Sequence, residues 1–320
     1  MGGKALKNIN CVRVNLELYN KIKSIILSKL LPYNYFVSVI EMPGKETFGD
    51  LDLIYKCKEN ENQDIRFIVN EIFSPKEVFS NGTVFSFSYQ INETEYFQID
   101  LIKVSNIEMA QFYYAYGDIG HIIGRMMKNN DLTFGAEGLW INYENNKIML
   151  SSQPQEICNF IGLDYCKWKN RFNNIIDVFN WIIQCKYFNK IYFNPDNFNA
   201  VYRKNYEIRP NFKLFVDYIF NINIENKNQI KLNIIDYITI FNKHNEKEII
   251  DKKLYINKLH QEKFSGKIFL LYTDCKNIGK YKDAFKKYIC ENQDFNEYLL
   301  NNDIDFINNQ IKDFVIKFIV

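Results

Sequence analysis

Gly44-Lys45-Glu46-Thr47-Phe48-Gly49-Asp50-Leu51-Asp52-Leu53-Ile54-Tyr55 is the stretch on which the reading of this chain turns. Asp50 and Asp52 stand two apart at the head of an apolar run, Leu51–Tyr55, that reads as a strand. Side chains at i and i+2 of a strand share a face, so both carboxylates enter one small volume. Like charges so close are costly unless a cation lies between them. Mg²⁺ suits such a pair, with Mn²⁺ as the alternative ion. It takes hard oxygen ligands and keeps places for phosphate oxygens and water. Gly49 lets the chain turn sharply ahead of the pair.

A third acid lies further along. Thr83–Tyr89 and Tyr96–Val104 read as the two arms of a hairpin, and the second carries Gln98-Ile99-Asp100-Leu101-Ile102. The apolar flanks of Asp100 mark a carboxylate held in a core strand, which is expensive without a partner. Three strand-borne carboxylates fit a two-metal phosphoryl-transfer site. Asp50 and Asp52 would hold the metals and Asp100 would activate a 3′-hydroxyl. The plainer alternative makes Asp50 and Asp52 surface acids at a turn and Asp100 an ion-pair partner. The Gly-Lys-Glu-Thr-x-Gly-Asp-x-Asp context and the buried third acid favour the metal site.

With these residues in place, the sequence resembles the DNA polymerase β (family X) nucleotidyltransferases. Their catalytic strand carries a similar G-[KR]-E-[TS]-x-G-D-[ILVM]-D pattern. Phe97–Val104 looks like their third-acid strand. Tyr113-Tyr114-Ala115-Tyr116-Gly117-Asp118 stands where they have an aromatic–aromatic-T-G-S turn. Ile122–Met127, with Arg125, resembles their nucleotide-side helix. Leu132–Trp140 and Gln155–Tyr165 are similar to two later segments, so the match spans about residues 36–170 in order. The opening Gly2-Gly3-Lys4-Ala5 is similar to that of nucleotidyltransferases of large DNA viruses and phages.

The resemblance implies a catalytic palm, with Tyr116 and Gly117 packed on the sugar and Arg125 near the nucleotide. It also implies an NTP or dNTP as donor and a nucleic-acid 3′ end, DNA or RNA, as acceptor. Four departures stand out. Val39-Ile40, with Ser38 nearby, replaces the family's phosphate-gripping Gly-Ser. Met42 replaces the basic residue after it. Tyr116-Gly117-Asp118 replaces T-G-S. About 35 residues precede the motif, too few for the family's DNA-holding N-terminal modules. Gly2, Gly3 and Lys4 are candidates to supply the missing phosphate grip, because small residues expose backbone N–H groups and a lysine adds charge. Arg13 is a further candidate.

Working outward, 320 residues suggest two domains. An apolar fraction of 47% with only 13 Gly and 6 Pro excludes a disordered or collagen-like chain. A net charge of +2 excludes a wholly basic coat, so any nucleic-acid affinity must be local. Residues 251–290 hold 10 Lys and 4 acids, whereas 291–320 hold 2 Lys and 6 acids. Lys267, Lys276 and Lys280 in the basic stretch are candidate acceptor contacts, the last opening a helix. The seven cysteines are scattered, with no C-x-x-C, which fits free thiols in a reduced compartment and not a zinc site. No apolar run reaches the ~18 residues of a membrane span and no signal peptide is evident. The expectation is a cytoplasmic, intracellular protein without a membrane partner, with its oligomeric state open.

Elements are read from pattern. Leu16–Leu31 is helical, with Asn15 as cap and Pro32 as stop. Val37–Ile40 is a strand, and Ile107–Asn129 is two helices with a turn near Gly117. Gln155–Ile161 is a helix with Ser152 as a cap. Beyond about Arg171, Ile175–Tyr187, Phe212–Phe220, Lys280–Cys290 and Tyr298–Ile319 read as helices. The expected whole is an α+β chain. Residues 1–170 form a nucleotidyltransferase palm, a mixed sheet with flanking helices, and 171–320 a largely helical accessory domain. The expected function is Mg²⁺-dependent addition of a nucleoside monophosphate to a nucleic-acid 3′-hydroxyl. The alternatives are transfer to a protein or small nucleotide, or a catalytically inactive nucleic-acid-binding protein.

Overall fold

In the computed structural model, residues 3–58, 64–224, 226, 231–273 and 278–319 are described. Gly2 and Lys276 lie outside the described residues. The chain divides into two compact units, Met1–Phe241 and Asn242–Val320.

The first unit is a mixed α+β structure. Its elements run β1 (Val14–Asn15), α1 (Leu16–Leu30), β2 (Asn34–Ser38), β3 (Thr47–Phe48), β4 (Asp50–Cys57), α2 (Ile65–Phe73), β5 (Val78–Asn81), β6 (Val84–Gln90) and β7 (Tyr96–Lys103). Next come α3 (Ile107–Tyr114), α4 (Ile119–Lys128), and a three-stranded meander of β8 (Leu132–Gly135), β9 (Gly138–Tyr143) and β10 (Asn146–Ser151). Among the described residues, six further α-helices follow: α5 (Pro154–Ile161), α6 (Tyr165–Lys169), α7 (Ile175–Ile182), α8 (Ala200–Ile208), α9 (Pro210–Asn221) and α10 (Ile234–Ile240). The main sheet has the order β2-β4-β7-β6-β5. Only its β4–β7 pair is parallel; the other pairs are antiparallel.

Period-two alternation sorts the sheet into two faces. Leu51, Leu53 and Tyr55 of β4, Phe97, Ile99 and Leu101 of β7, and Phe85 and Phe87 of β6 form one core with α1 and α2. Helix α1 starts where Asn15 Oδ1 accepts the Leu18 N–H at 2.9 Å. It buries Tyr19, Ile22, Ile26 and Leu30 at helical spacing. The Tyr19 ring stacks on Phe48 with centroids 3.9 Å apart and meets Phe97 edge-on. The opposite face carries Ile54 and Ile102, which pack with Val39, Val104 and Ala110 under α3. Asp50, Asp52 and Asp100 lie on this second face, the first two at the start of β4 and Asp100 in the middle of β7.

The boundary expected near residue 170 does not divide the compact units. The helices after it pack back on the first: Trp181 meets Phe112, and Arg209 pairs with buried Asp118 at 2.8 Å. The composition shift at 171 marks a change from sheet to helix within one core.

The second unit consists, among its described residues, of helices α11 (His244–Lys263), α12 (Gly266–Phe269), α13 (Ile278–Cys290), α14 (Phe295–Asn301) and α15 (Ile304–Ile319). Phe264, Phe269, Phe285, Phe295, Leu299 and Ile311 are central to its core. The helix expected over Tyr298–Ile319 is broken at Asn302, whose backbone is extended. Lys263 Nζ donates to the freed carbonyls of Leu299 and Asn302 at 2.8 and 2.7 Å, which stabilises the break. Lys267 and Lys280 are exposed in this unit. Among the described residues no helix is long and apolar enough to cross a membrane.

Phe97 is fully buried between sheet and α1. Phe97→Ala should cost about 3–5 kcal/mol in urea unfolding. Phe67→Ala, at a ring that is 51% exposed on α2, should stay within about 0.5 kcal/mol. Equal losses at the two positions would contradict this assignment of the core.

Candidate metal centre

The parallel register of β4 and β7 builds the site. Asp50 lies opposite Gln98, and Asp52 opposite Asp100. One carboxylate oxygen from each of Asp50, Asp52 and Asp100 falls within 4.8 Å of the others, and all three residues are partly buried. On the far side of β7, Ser86 of β6 lies opposite Asp100.

The electrostatics are those of uncompensated negative charge. The Asp52 carboxyl is raised well above the usual carboxylate range, first by burial and then by Asp50, Asp100 and Glu41. Lys45 pulls it down, as the smallest of these effects. Lys45 Nζ also lies 2.5 Å from Glu41, which shares its charge. Burial, with Asp50, pushes Asp100 up to about 6, against hydrogen bonds from Ser86 and Gln98 that favour the ionised form. The Gln98 amide donates to both Asp100 oxygens, at 3.0 and 2.9 Å. The Gly3 N–H donates to Asp50 Oδ2 at 2.9 Å. Hard oxygen donors in excess of nearby positive charge fit a divalent cation of the Mg²⁺ or Mn²⁺ type.

Asp50 and Asp52 open into a cleft of about 810 Å³ whose wall includes Arg13, Lys45, Gly117, Arg209 and Asn211. Arg13 is held by Thr47, whose carbonyl accepts from Nη2 at 2.7 Å. Gly117 has φ +71°, a conformation that favours glycine, and a Cβ there would displace the Asn211 amide, whose Nδ2 would lie 2.5 Å away. Asp118 is buried and accepts from Arg209 Nη1 at 2.8 Å and from the Phe212 N–H at 3.1 Å. It thereby ties the start of α9 to the cleft wall.

The other sequence candidates are placed as follows. Gly49 is buried beside the acids, but its φ is not left-handed. The close contact is with Gly3, where a Cβ would lie 2.2 Å from the Gly49 carbonyl oxygen. Lys4 is exposed nearby in the chain. Ser38 pairs with Leu53 in the sheet, its carbonyl accepts from Gln111 Nε2 at 2.9 Å, and it lines a separate, smaller cavity. Tyr116 is buried, its ring 5.1 Å from that of Phe172. Arg125 is also buried. Its guanidinium lies 3.7 Å from the Tyr202 ring centroid and 4.6 Å from that of Phe198, and its Nε donates to the Tyr192 carbonyl. With His121 it lines a different cavity, of about 1360 Å³. The acids are therefore brought together with Gly3, Gly49 and Gly117, but not with Ser38, Tyr116 or Arg125.

Sequence reasoning missed Gln98, Ser86, Arg209 and Asn211. Gln98 was detectable, because it stands two residues before Asp100 on the same face of a largely apolar strand. Arg209 and Asn211 reach the cleft through tertiary packing alone. Compared with protein-family models and with curated proteins, the chain matches none.

The raised carboxyls make stability depend on pH with a definite sign. Asp100 holds its proton more tightly in the fold than in the unfolded chain, so its contribution is present at low pH and lost as pH rises through about 6. His121 works oppositely. Burial lowers it to about 4, so stability is lost as pH falls from about 6.5 toward 4. Comparing wild type with Asp100→Asn cancels the histidine. Without metal at pH 7.5, Asp100→Asn should raise Tm by a few degrees, and the gain should vanish by about pH 4. Saturating Mg²⁺ should stabilise wild type more than the variant. A metal-free Asp100→Asn protein that melts lower than wild type at pH 7.5 would contradict the crowded-carboxylate picture.

Proposed function

We propose that this chain is a Mg²⁺-dependent nucleotidyltransferase that adds a nucleoside monophosphate from an NTP or dNTP to a nucleic-acid 3′-hydroxyl. The observation that carries the reading is the convergence of Asp50, Asp52 and Asp100, the first two of which open into one cleft. The five-stranded mixed sheet with its flanking helices is what a palm requires, and the resemblance to polymerase β-type enzymes runs through the same strands.

A divalent ion held by Asp50, Asp52 and Asp100 would supply positive charge against the triphosphate and lower the pKa of the attacking hydroxyl. Asp100, near 6, is mostly ionised at neutral pH and can take the proton of that hydroxyl. The acceptor oxygen bonds to the α-phosphorus, the bond from that phosphorus to the bridging oxygen breaks, and pyrophosphate leaves. Arg13, Lys45 and Arg209 line the cleft and offer counter-charge to the phosphates in place of the grip missing at Val39–Met42. Gly117 and Asn211 stand together in the cleft wall, where the sugar would pack. Lys267 and Lys280, exposed in the second unit, remain candidates for the acceptor backbone, with Lys276 beside them in sequence.

A labelled primer, templated or not, incubated with Mg²⁺ and each NTP or dNTP should be extended. Asp50→Asn, Asp52→Asn and Asp100→Asn should each fold and cut transfer by about 10²–10³ or more. Near-normal turnover in Asp100→Asn would remove that residue from the mechanism. A wild type that extends no primer with any nucleotide would overturn the acceptor class.

A further inference from the structure

The segment before β1 is bound to the acid cluster by hydrogen bonds that a frayed terminus would not make. Gly3 donates its N–H to Asp50 Oδ2 at 2.9 Å. Ala5 and Leu6 donate theirs to Gln98 Oε1 at 2.8 and 3.4 Å. The far end of the same amide donates to both oxygens of Asp100. Two backbone N–H groups on Oε1 settle which end of the Gln98 amide is which, and so turn Nε2 toward Asp100. Gln98 is 2% exposed and Leu6 4% exposed, so neither end of this connection is left to solvent. The segment continues along β7: Tyr96 donates to the Asn10 carbonyl at 3.0 Å and accepts from the Val12 N–H at 2.9 Å. Lys7 and Asn8 give their N–H groups to Glu77 at 3.0 and 2.9 Å.

These bonds oppose a definite force. Three carboxylates crowded within 4.8 Å repel one another and would rotate apart if free to do so. Donors fixed in the fold hold them converged before any ion arrives, which lowers the reorganisation needed on binding. The Gly3 N–H is also committed to Asp50, which leaves it no donor for a nucleotide phosphate in this arrangement.

We propose that residues 3–6 form a strap that sets the carboxylates for metal binding, Asp50 directly through the Gly3 N–H and Asp100 through Gln98, with Gln98 as the positioning residue. The proposal rests on the metal-site reading above. The strap acts on the carboxylates and not on the nucleotide.

Two substitutions in the full-length chain test it without touching an acid. Gln98→Leu removes the donor to Asp100 and the acceptor for the strap. Ala5→Pro removes the Ala5 N–H and fixes the backbone of the strap at that residue, leaving Gln98 and every acid in place. Folding is checked by circular dichroism, Mn²⁺ binding by electron paramagnetic resonance, and primer extension gives kcat and nucleotide KM separately. Asp52→Asn is run beside them. Both strap variants should bind Mn²⁺ about 10–100-fold more weakly and lose kcat, with nucleotide KM within about twofold of wild type. If Gln98→Leu does not fold, the Ala5→Pro result decides. Wild-type Mn²⁺ affinity in the folded strap variants, with binding lost in Asp52→Asn, would overturn the strap and leave the metal site standing. A raised nucleotide KM with unchanged kcat in Ala5→Pro would also overturn it, and would assign the segment to the phosphates. A wild type that binds no Mn²⁺ would overturn the metal site and the strap together.

Discussion

The parallel pairing of β4 with β7 is the constraint on which the rest of the first unit depends. It places Asp52 directly opposite Asp100, and Asp50 opposite Gln98. A slip of one residue would turn Asp100 into the core and bring an apolar side chain to the cleft. The register is held by the other face. Leu51, Leu53, Phe97, Ile99 and Leu101 are fully buried there beneath α1 and α2, so a slip would place their partners in the wrong layer. A large apolar core on one face thus fixes a small polar cluster on the other.

That cluster stores electrostatic cost. Burial and mutual repulsion raise Asp52 and Asp100, and the fold offsets part of this with neutral donors rather than a buried cation. Ser86, the Gln98 amide and the Gly3 N–H orient the carboxylates while leaving much of their negative charge in place. An Arg or Lys paired directly with the acids would stabilise the metal-free fold more, but would compete with a cation for the same oxygens. On the proposed metal-binding reading, neutral donors leave these oxygens open to a cation. The same logic explains why Lys45 is engaged with Glu41, at one remove from the acids.

The parts legible in the sequence were those encoded by local periodicity. The Asp50/Asp52 pair, the β6–β7 hairpin, the cap at Asn15 and the break between α3 and α4 near Gly117 all follow from residues close in the chain. The convergence of Asp100 with the pair was inferred from its apolar flanks, and the parallel register supplies the reason. Helix α2 and the β8–β10 meander passed unread. The meander's strands are four to six residues long, and glycines and asparagines within them and at their ends obscure the alternation. The division between units was misplaced because composition changed at 171 while the core continued to Phe241. Long-range polar contacts were the least legible. Asp118 meets Arg209 across 91 positions, and Gln98 meets Ala5 across 93. Nothing local announces either pairing, and both bear on the cleft. Arg125 shows the converse: a cation one turn past a glycine bend reads as a ligand contact, yet the fold stacks it between Tyr202 and Phe198.

The central claim is that Asp50, Asp52 and Asp100 form one divalent-metal centre. Crystals of the protein soaked in Mn²⁺ and measured at the manganese absorption edge test it most directly. The account predicts an anomalous peak at coordination distance from carboxylate oxygens of Asp50 and Asp52, with Asp100 in the same coordination sphere or that of a second ion beside it. Manganese found only at other surface carboxylates, with these three side chains turned away from one another or closed by a lysine or arginine, would contradict it.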